Sequence, residues 1–208
     1  MIWLEVLLEG VSDVPAVKEV LERKFALRDG EHFRIHPHKG KGKLPENFLS
    51  KPDPKHQGLL DQLPAKLRGF GKSLPDYAVV LVVIDVDKEP CRDVLKQLNS
   101  MLDALVCKPK VLFRLAIEET ESWFLADAEA LKKAYPGQVK AKVLKDIDPD
   151  AVIGAWETLA RALGLDPKQT SPATKSEWAK KIAPHLDLEN PRSPSFKKLI
   201  QGVGRLVE

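Results

Sequence analysis

The run Val79-Val80-Leu81-Val82-Val83-Ile84-Asp85-Val86-Asp87 limits what this chain can fold into more than any other stretch. Seven of its nine residues are aliphatic, and it has no polar face to offer water. It therefore reads as a central strand of a parallel sheet, covered by helices on both sides. It ends in two aspartates spaced one residue apart. Side chains at i and i+2 of a strand point the same way, so Asp85 and Asp87 aim at one spot past the strand's carboxyl end. In open α/β sheets that edge is where ligands bind. Two carboxylates held so close repel each other unless a proton or a cation lies between them.

The flanking sequence supplies the rest of such a sheet. Ile2 to Leu8 reads as a first strand. Glu9-Gly10-Val11-Ser12-Asp13 is a turn into a helix that Ser12 or Asp13 can cap, with Pro15 in its first turn and Val17, Val20 and Leu21 facing inward. A short strand is predicted around Phe33 to Ile35, and residues 37–54 read as a long loop. A helix follows near Leu59 to Leu67, broken by Gly69, Gly71 and Pro75 before the central strand. Leu95, Leu98, Leu102 and Leu105 mark an amphipathic helix. Val111 to Ile117 is a further strand, leading into a helix that carries Trp123, Phe124 and Leu131. Past Pro136 only helices are predicted, over roughly 151–163, 176–185 and 195–207, the last striped by Phe196, Leu199, Ile200 and Val203. Strands alternating with helices imply parallel pairing through crossovers. The fold class is thus α/β, a mostly parallel sheet flanked by helices. Residues 1–135 are expected to form the catalytic domain, with 136–208 a helical extension packed on it.

Each of three strand ends carries acids. The first gives Glu9, with Asp13 four residues on; the central one gives Asp85 and Asp87; the next gives Glu118, Glu119 and Glu121. In a parallel sheet these ends share one edge, so distant segments converge on one acidic site. Hard oxygen ligands of this kind suit Mg²⁺ or Mn²⁺.

Charge is nearly balanced overall, 33 Lys and Arg against 30 Asp and Glu, but unevenly placed. Between Glu31 and Leu74 nine Lys/Arg face four Asp/Glu, and four of the five histidines lie there too. The centre of this segment is His38-Lys39-Gly40-Lys41-Gly42-Lys43. Its glycines let backbone approach a phosphate and its lysines supply point charges, although the spacing is not that of a Walker A loop. His38, Lys39, Lys41 and Lys43 are the candidate nucleic-acid contacts, with Lys41 also a candidate for stabilising transition-state charge. A solvated flexible loop explains the same composition. Zinc on His32, His36 and His38 is disfavoured, because no soft fourth ligand is close. Trp123, Trp156 and Trp178 fall in predicted helices and read as packing residues. Lys197 and Lys198 fit a solvated helix face as well as a phosphate contact. Cys91 and Cys107 form no CxxC pair and suit reduced thiols. No leader or membrane-length apolar run is apparent, so a soluble cytoplasmic protein is expected, with no membrane partner.

Leu8-Glu9-Gly10-Val11-Ser12-Asp13 followed by Ile84-Asp85-Val86-Asp87 resembles the Toprim fold of topoisomerases, bacterial primases and overcoming-lysogenization-defect (OLD) nucleases. The Glu9/Asp13 spacing is closer to the OLD type. Three further stretches resemble a bacterial Toprim-related family of unknown function, DUF4276: His38 to Leu44, Glu118 to Asp127, and Ser193-Pro194-Ser195-Phe196. The resemblance implies a Toprim-like, Rossmann-like sheet and a Mg²⁺-dependent nuclease or related phosphoryl-transfer enzyme acting on DNA or RNA. Glu9 would be a ligand or general acid/base, Asp85 and Asp87 would hold the ion, Asp13 would support a second one, and Glu118 or Glu121 would take the place of the third acidic motif. This chain departs from the OLD pattern at that third motif. Such enzymes carry an ATPase, which here would be a separately encoded partner, as in phage-defence systems. Neither Tyr77 nor Tyr135 suits a topoisomerase nucleophile. The alternative is a non-catalytic module of the same fold that binds nucleic acid or docks on a partner. A haloacid-dehalogenase-like phosphatase ranks low, because its DxD follows the first strand.

Overall fold

The computed structural model describes residues 2–86 and 89–208. Four parallel strands form one sheet in the order β2-β1-β3-β4: β1 (Trp3–Leu8), β2 (Phe33–Pro37), β3 (Ala78–Asp85) and β4 (Lys110–Ala116). Trp3 is level with Ala78, Leu4 with Phe33, and Val79 with Lys110. β3 is the sealed central strand, with Ala78 to Ile84 all buried. Alternation divides its apolar side chains between two cores. Val79, Leu81 and Val83 face one; Val80, Val82 and Ile84 face the other.

The second core is closed by α2 (Leu59–Ser73) and α3 (Cys91–Asp103), through Leu59, Leu63, Leu67, Val94, Leu98 and Met101. The first is closed by α1 (Val14–Glu19) together with helices from beyond the sheet: α4 (Glu121–Leu125), α5 (Ala128–Ala134), α7 (Ala155–Ala162), α8 (Pro172–Ile182) and α9 (Pro194–Val207). A short α6 (Ala141–Leu144), absent from the sequence reading, packs on α7. The architecture is α/β with a helical C-terminal part, and Leu159, Trp178, Ile182 and Leu199 bury into the same core as Leu4 and Val6. Among the described residues no helix is long and apolar enough to cross a membrane.

A buried polar knot fixes α9. Trp123 Nε1–H donates to Ser195 Oγ (3.0 Å), Ser193 Oγ–H and Ser195 N–H donate to the Asp150 carboxylate (2.6 and 2.7 Å), and Trp123 stacks on Phe196 at 4.8 Å. Satisfied networks of this kind specify one packing arrangement.

Several boundaries differ from the sequence reading. Asp13 stands at the N-cap of α1 but makes no side-chain cap; its carboxylate is used elsewhere. The first helix continues as a π-helical turn over Val20–Lys24. The helix predicted to run from Glu118 through Leu131 is two, because Asp127 caps a fresh start with a bond from Ala130 N–H (2.9 Å). α2 runs straight through Gly69 and Gly71. Gly71 is not a breaker but a point of close approach: a Cβ there would lie 2.6 Å from the backbone carbonyl of Cys107. Gly71→Ala is therefore expected to destabilise the fold by about 1–3 kcal/mol through overpacking, despite alanine's better helix propensity. Gly69→Ala, where nothing lies within 4 Å, is expected to be neutral or stabilising. Urea midpoints compare the two directly.

Candidate functional site

Chain direction locates the site. β1 leads through α1 to β2 over one face of the sheet, and β3 leads through α3 to β4 over the other. The crossovers part between the carboxyl ends of β1 and β3, and in such sheets that crevice is the usual ligand site. Glu9 follows β1 directly and Asp85 ends β3. The two meet there: Asp85 N–H donates to Glu9 Oε1 at 2.8 Å.

The third strand end is tied in through Asp13. Its Oδ2 accepts from Gly10 N–H (2.8 Å) and its Oδ1 accepts from Thr120 Oγ1–H (2.9 Å) in the turn after β4. Glu9, Asp13, Thr120 and Glu121 are all buried, and Asp85 is half-buried. Asp87 lies outside the described residues.

The turn after β4 sorts its acids. Glu118 adopts φ +61°, unusual for a residue with a side chain. Its carboxylate accepts from Gly154 N–H (3.1 Å) at the start of α7, so it serves a helix terminus. Glu119 accepts from Trp156 N–H (3.2 Å) and from Lys175 Nζ (3.3 Å). Lys175 also stands 3.8 Å from Glu121 and 4.9 Å above the Trp156 ring. Of the third acid set, Glu119 and Glu121 press on Asp85, and Glu118 is engaged elsewhere.

This gathering is electrostatically costly. Burial, then the charges of Asp13, Glu9, Glu121 and Glu119, push Asp85 well above the ordinary carboxylate range. Burial also raises Asp13, although Thr120, Gly10 and Lys175 offset part of it. Glu121 is pushed up to about 7, first by burial and then by Glu119 and Asp13, against the pull of Lys175. Burial raises Glu119 as well. Oε2 of Glu157, beside this group, is buried with no hydrogen-bond partner among the described residues. Among the described residues no three His, Cys, Asp or Glu side chains stand together in a ready metal-binding group. All the donors are hard carboxylate oxygens with an excess of negative charge, and this set fits a divalent cation of the Mg²⁺ type rather than a soft metal.

The basic loop crosses the same edge. His38 N–H bonds to Leu8 O (3.0 Å) and Gly40 N–H to Glu9 O (2.8 Å). The Gly40 and Lys41 carbonyls then accept from Leu59 and Leu60 N–H (2.8 and 2.7 Å), satisfying the first turn of α2. Gly42 (φ +67°) and Gly58 touch backbone to backbone, where a Cβ on Gly58 would meet the Gly42 N and Cα at 2.5 Å. The loop is therefore anchored at both ends rather than wholly free. Lys39 and Lys43 are exposed, and Lys41 Nζ bonds to Glu89 (3.0 Å) just after β3. The histidines have separate partners: His32 accepts from Arg28 N–H, His36 bonds to buried Glu5 (2.5 Å), and His38 Nδ1 bonds to Leu8 O (2.8 Å). Burial lowers the His38 pKa, and its Nε2 has no partner among the described residues. Trp123 and Trp178 are packed in the core, as their helical placement suggested.

The family model for a domain of unknown function, DUF4276, matches residues 8–204, from the last residue of β1 into the final turns of α9. The chain belongs to the DUF4276 family. No curated protein and no solved structure matches it. The DUF4276 match takes in the whole acidic edge, the basic loop and the helices that carry Lys175 and Ser195.

Sequence reasoning missed Lys175 and Thr120 and left Glu119 unassigned. Lys175 sits in a helix of ordinary charged composition, and no spacing signals its role. Lys175→Met is expected to cost about 1–2 kcal/mol at pH 8, where Glu121 is ionised, and less at pH 5, where Glu121 holds its proton. Thermal midpoints at the two pH values read the difference.

Proposed function

We propose that this chain is a Mg²⁺- or Mn²⁺-dependent Toprim-type enzyme that cleaves or transfers phosphodiesters of DNA or RNA. The observation that carries this reading is the Glu9–Asp85 contact at the β1/β3 crevice, ringed by Asp13, Glu119 and Glu121. Asp85, with Asp87 two residues on, would hold the ion, and Glu9 would share it. A divalent ion there would polarise a phosphodiester and acidify the attacking water. The Asp85 amide steadies Glu9 for giving or taking a proton at the reacting phosphate. Asp13, engaged by Thr120 and Gly10, braces the turn that presents Glu9. Glu121, with its pKa near neutrality, is suited to exchange a proton at working pH. Lys39, Lys41 and Lys43 would lead the nucleic-acid backbone across the edge toward Glu9. A separately encoded ATPase is the proposed partner, and the cytoplasm the proposed compartment.

The test is incubation with plasmid, linear and single-stranded DNA and with RNA, in Mg²⁺ or Mn²⁺, alone and with a co-purifying ATPase. Cleavage is expected to need the ion and to fall about 100-fold or more in Glu9→Gln. Cleavage unchanged in that variant removes the site. Binding without cleavage under every condition identifies a docking module instead.

A further inference from the structure

β4 is an edge strand, and α9 lies along it. Gly202 makes this possible, since a Cβ there would overlap the Arg114 guanidinium. Arg114 is pinned by two carbonyls: Nε–H donates to Lys198 O (2.9 Å) and Nη1–H to Phe113 O (2.8 Å). Lys198, Gly202 and Arg205 follow at four- and three-residue spacing on α9, so two cations flank the glycine on one helix face. Arg114, Lys198 and Arg205 line one cavity of about 400 Å³, floored by Leu95, Leu115 and Ile117. None of the three cations is ion-paired among the described residues. Asp150 also lines the cavity, but its carboxylate oxygens already accept from Ser193 and Ser195. Burial and the charge of Arg205 together depress the Arg114 pKa.

Three cations against the single carboxylate of Asp150 leave the lining net positive over an apolar floor, which suits an anion with an apolar body. The cavity has the volume of a small-ligand site, and a pinned guanidinium suits phosphate oxygens. We propose that the cleft between β4, α3 and α9 is a second binding site, separate from the acidic edge, for the phosphate and base of a nucleotide. The nucleotide is either free or the 5′-phosphorylated end of a strand.

Isothermal titration of the full chain in EDTA, which silences the acidic edge, tests this with AMP, adenosine and a short oligonucleotide with and without a 5′-phosphate. AMP binding identifies a free nucleotide; binding of the phosphorylated strand alone identifies a strand end. In either case the double variant Lys198→Gln/Arg205→Gln is expected to weaken binding about tenfold or more, at an unchanged thermal midpoint, because both side chains are exposed. The proposal is overturned if neither phosphorylated ligand binds at millimolar concentration or if adenosine binds as tightly as AMP. It is equally overturned if the double variant binds like the parent or if a polyglutamate peptide matches AMP.

Discussion

Asp85→Asn is expected to stabilise the metal-free protein and at the same time abolish its response to Mg²⁺ or Mn²⁺. Asp85 is held well above the ordinary carboxylate range by burial and by Asp13, Glu9, Glu121 and Glu119. Near neutral pH its ionisation opposes folding, and asparagine removes that charge at nearly constant volume. The Asp85 N–H to Glu9 bond comes from the backbone and survives the change. A gain of about 1–2 kcal/mol is expected, discounted because Asp85 is only half-buried. In a domain of this size that raises the thermal midpoint by roughly 2–8 °C. The parent, by contrast, is expected to gain about 2.7 kcal/mol when the ion is supplied at a hundred times its dissociation constant, and the variant almost nothing. The proposed cleavage is expected to fall with the ion, by about 100-fold or more. Paired thermal melts with and without Mn²⁺ give both numbers. A variant less stable than the parent without metal, yet equally stabilised by it, contradicts the assignment of Asp85.

The stability of the metal-free protein is expected to fall as pH rises from about 4.5 to about 7, and Glu121→Gln is expected to flatten that slope. Glu121 titrates at 4.5 in an ordinary setting and at about 7 in this fold. Between those values the folded state binds more protons than the unfolded one, so unfolding becomes easier as pH rises. Below about 4.5 both states hold the proton, and above about 7 neither does, so the change is confined to the interval. Taken alone the shift amounts to at most about 3 kcal/mol, and burial beside Glu119 and Asp13 makes it a shared property of the group. Most small domains gain stability over this range as their paired carboxylates ionise, so a falling profile is diagnostic. Saturating Mg²⁺ is expected to reverse it, because the ion competes with those protons and binds more tightly as they leave. Urea midpoints across pH 4–8, with and without Mg²⁺, measure both effects. A profile that rises through this interval in EDTA contradicts the raised Glu121 pKa.

Much of this edge was legible because strand chemistry is local. Alternation and apolar runs marked β1, β3 and β4, and each was followed by acids, so Glu9, Asp13 and Asp85 could be named from their places after the strands, and the third set as a group. The turn after β4 could not be resolved in that way. Which of Glu118, Glu119 and Glu121 faces inward depends on Glu118 adopting a positive φ, a conformation that no local signal announces for glutamate. Thr120 and Lys175 were invisible for a different reason. Their roles exist only once the turn after β4 meets the turn after β1 and α8 packs over α4, contacts that span 107 and 56 residues of chain. Gly71 misled because a glycine that lets two backbones touch looks the same, in sequence, as one that ends a helix. Asp127, which divides α4 from α5, did carry a readable cap signal.

Crystals grown or soaked in Mn²⁺, with anomalous diffraction recorded near the manganese edge, bear most directly on the proposed cation site. The expected result is a peak in the crevice between the carboxyl ends of β1 and β3, at roughly 2.0–2.2 Å from carboxylate oxygens of Asp85 and Glu9, the distance a small hard cation demands. A crystal at saturating Mn²⁺ with no peak there, or with density only at surface histidines, contradicts it.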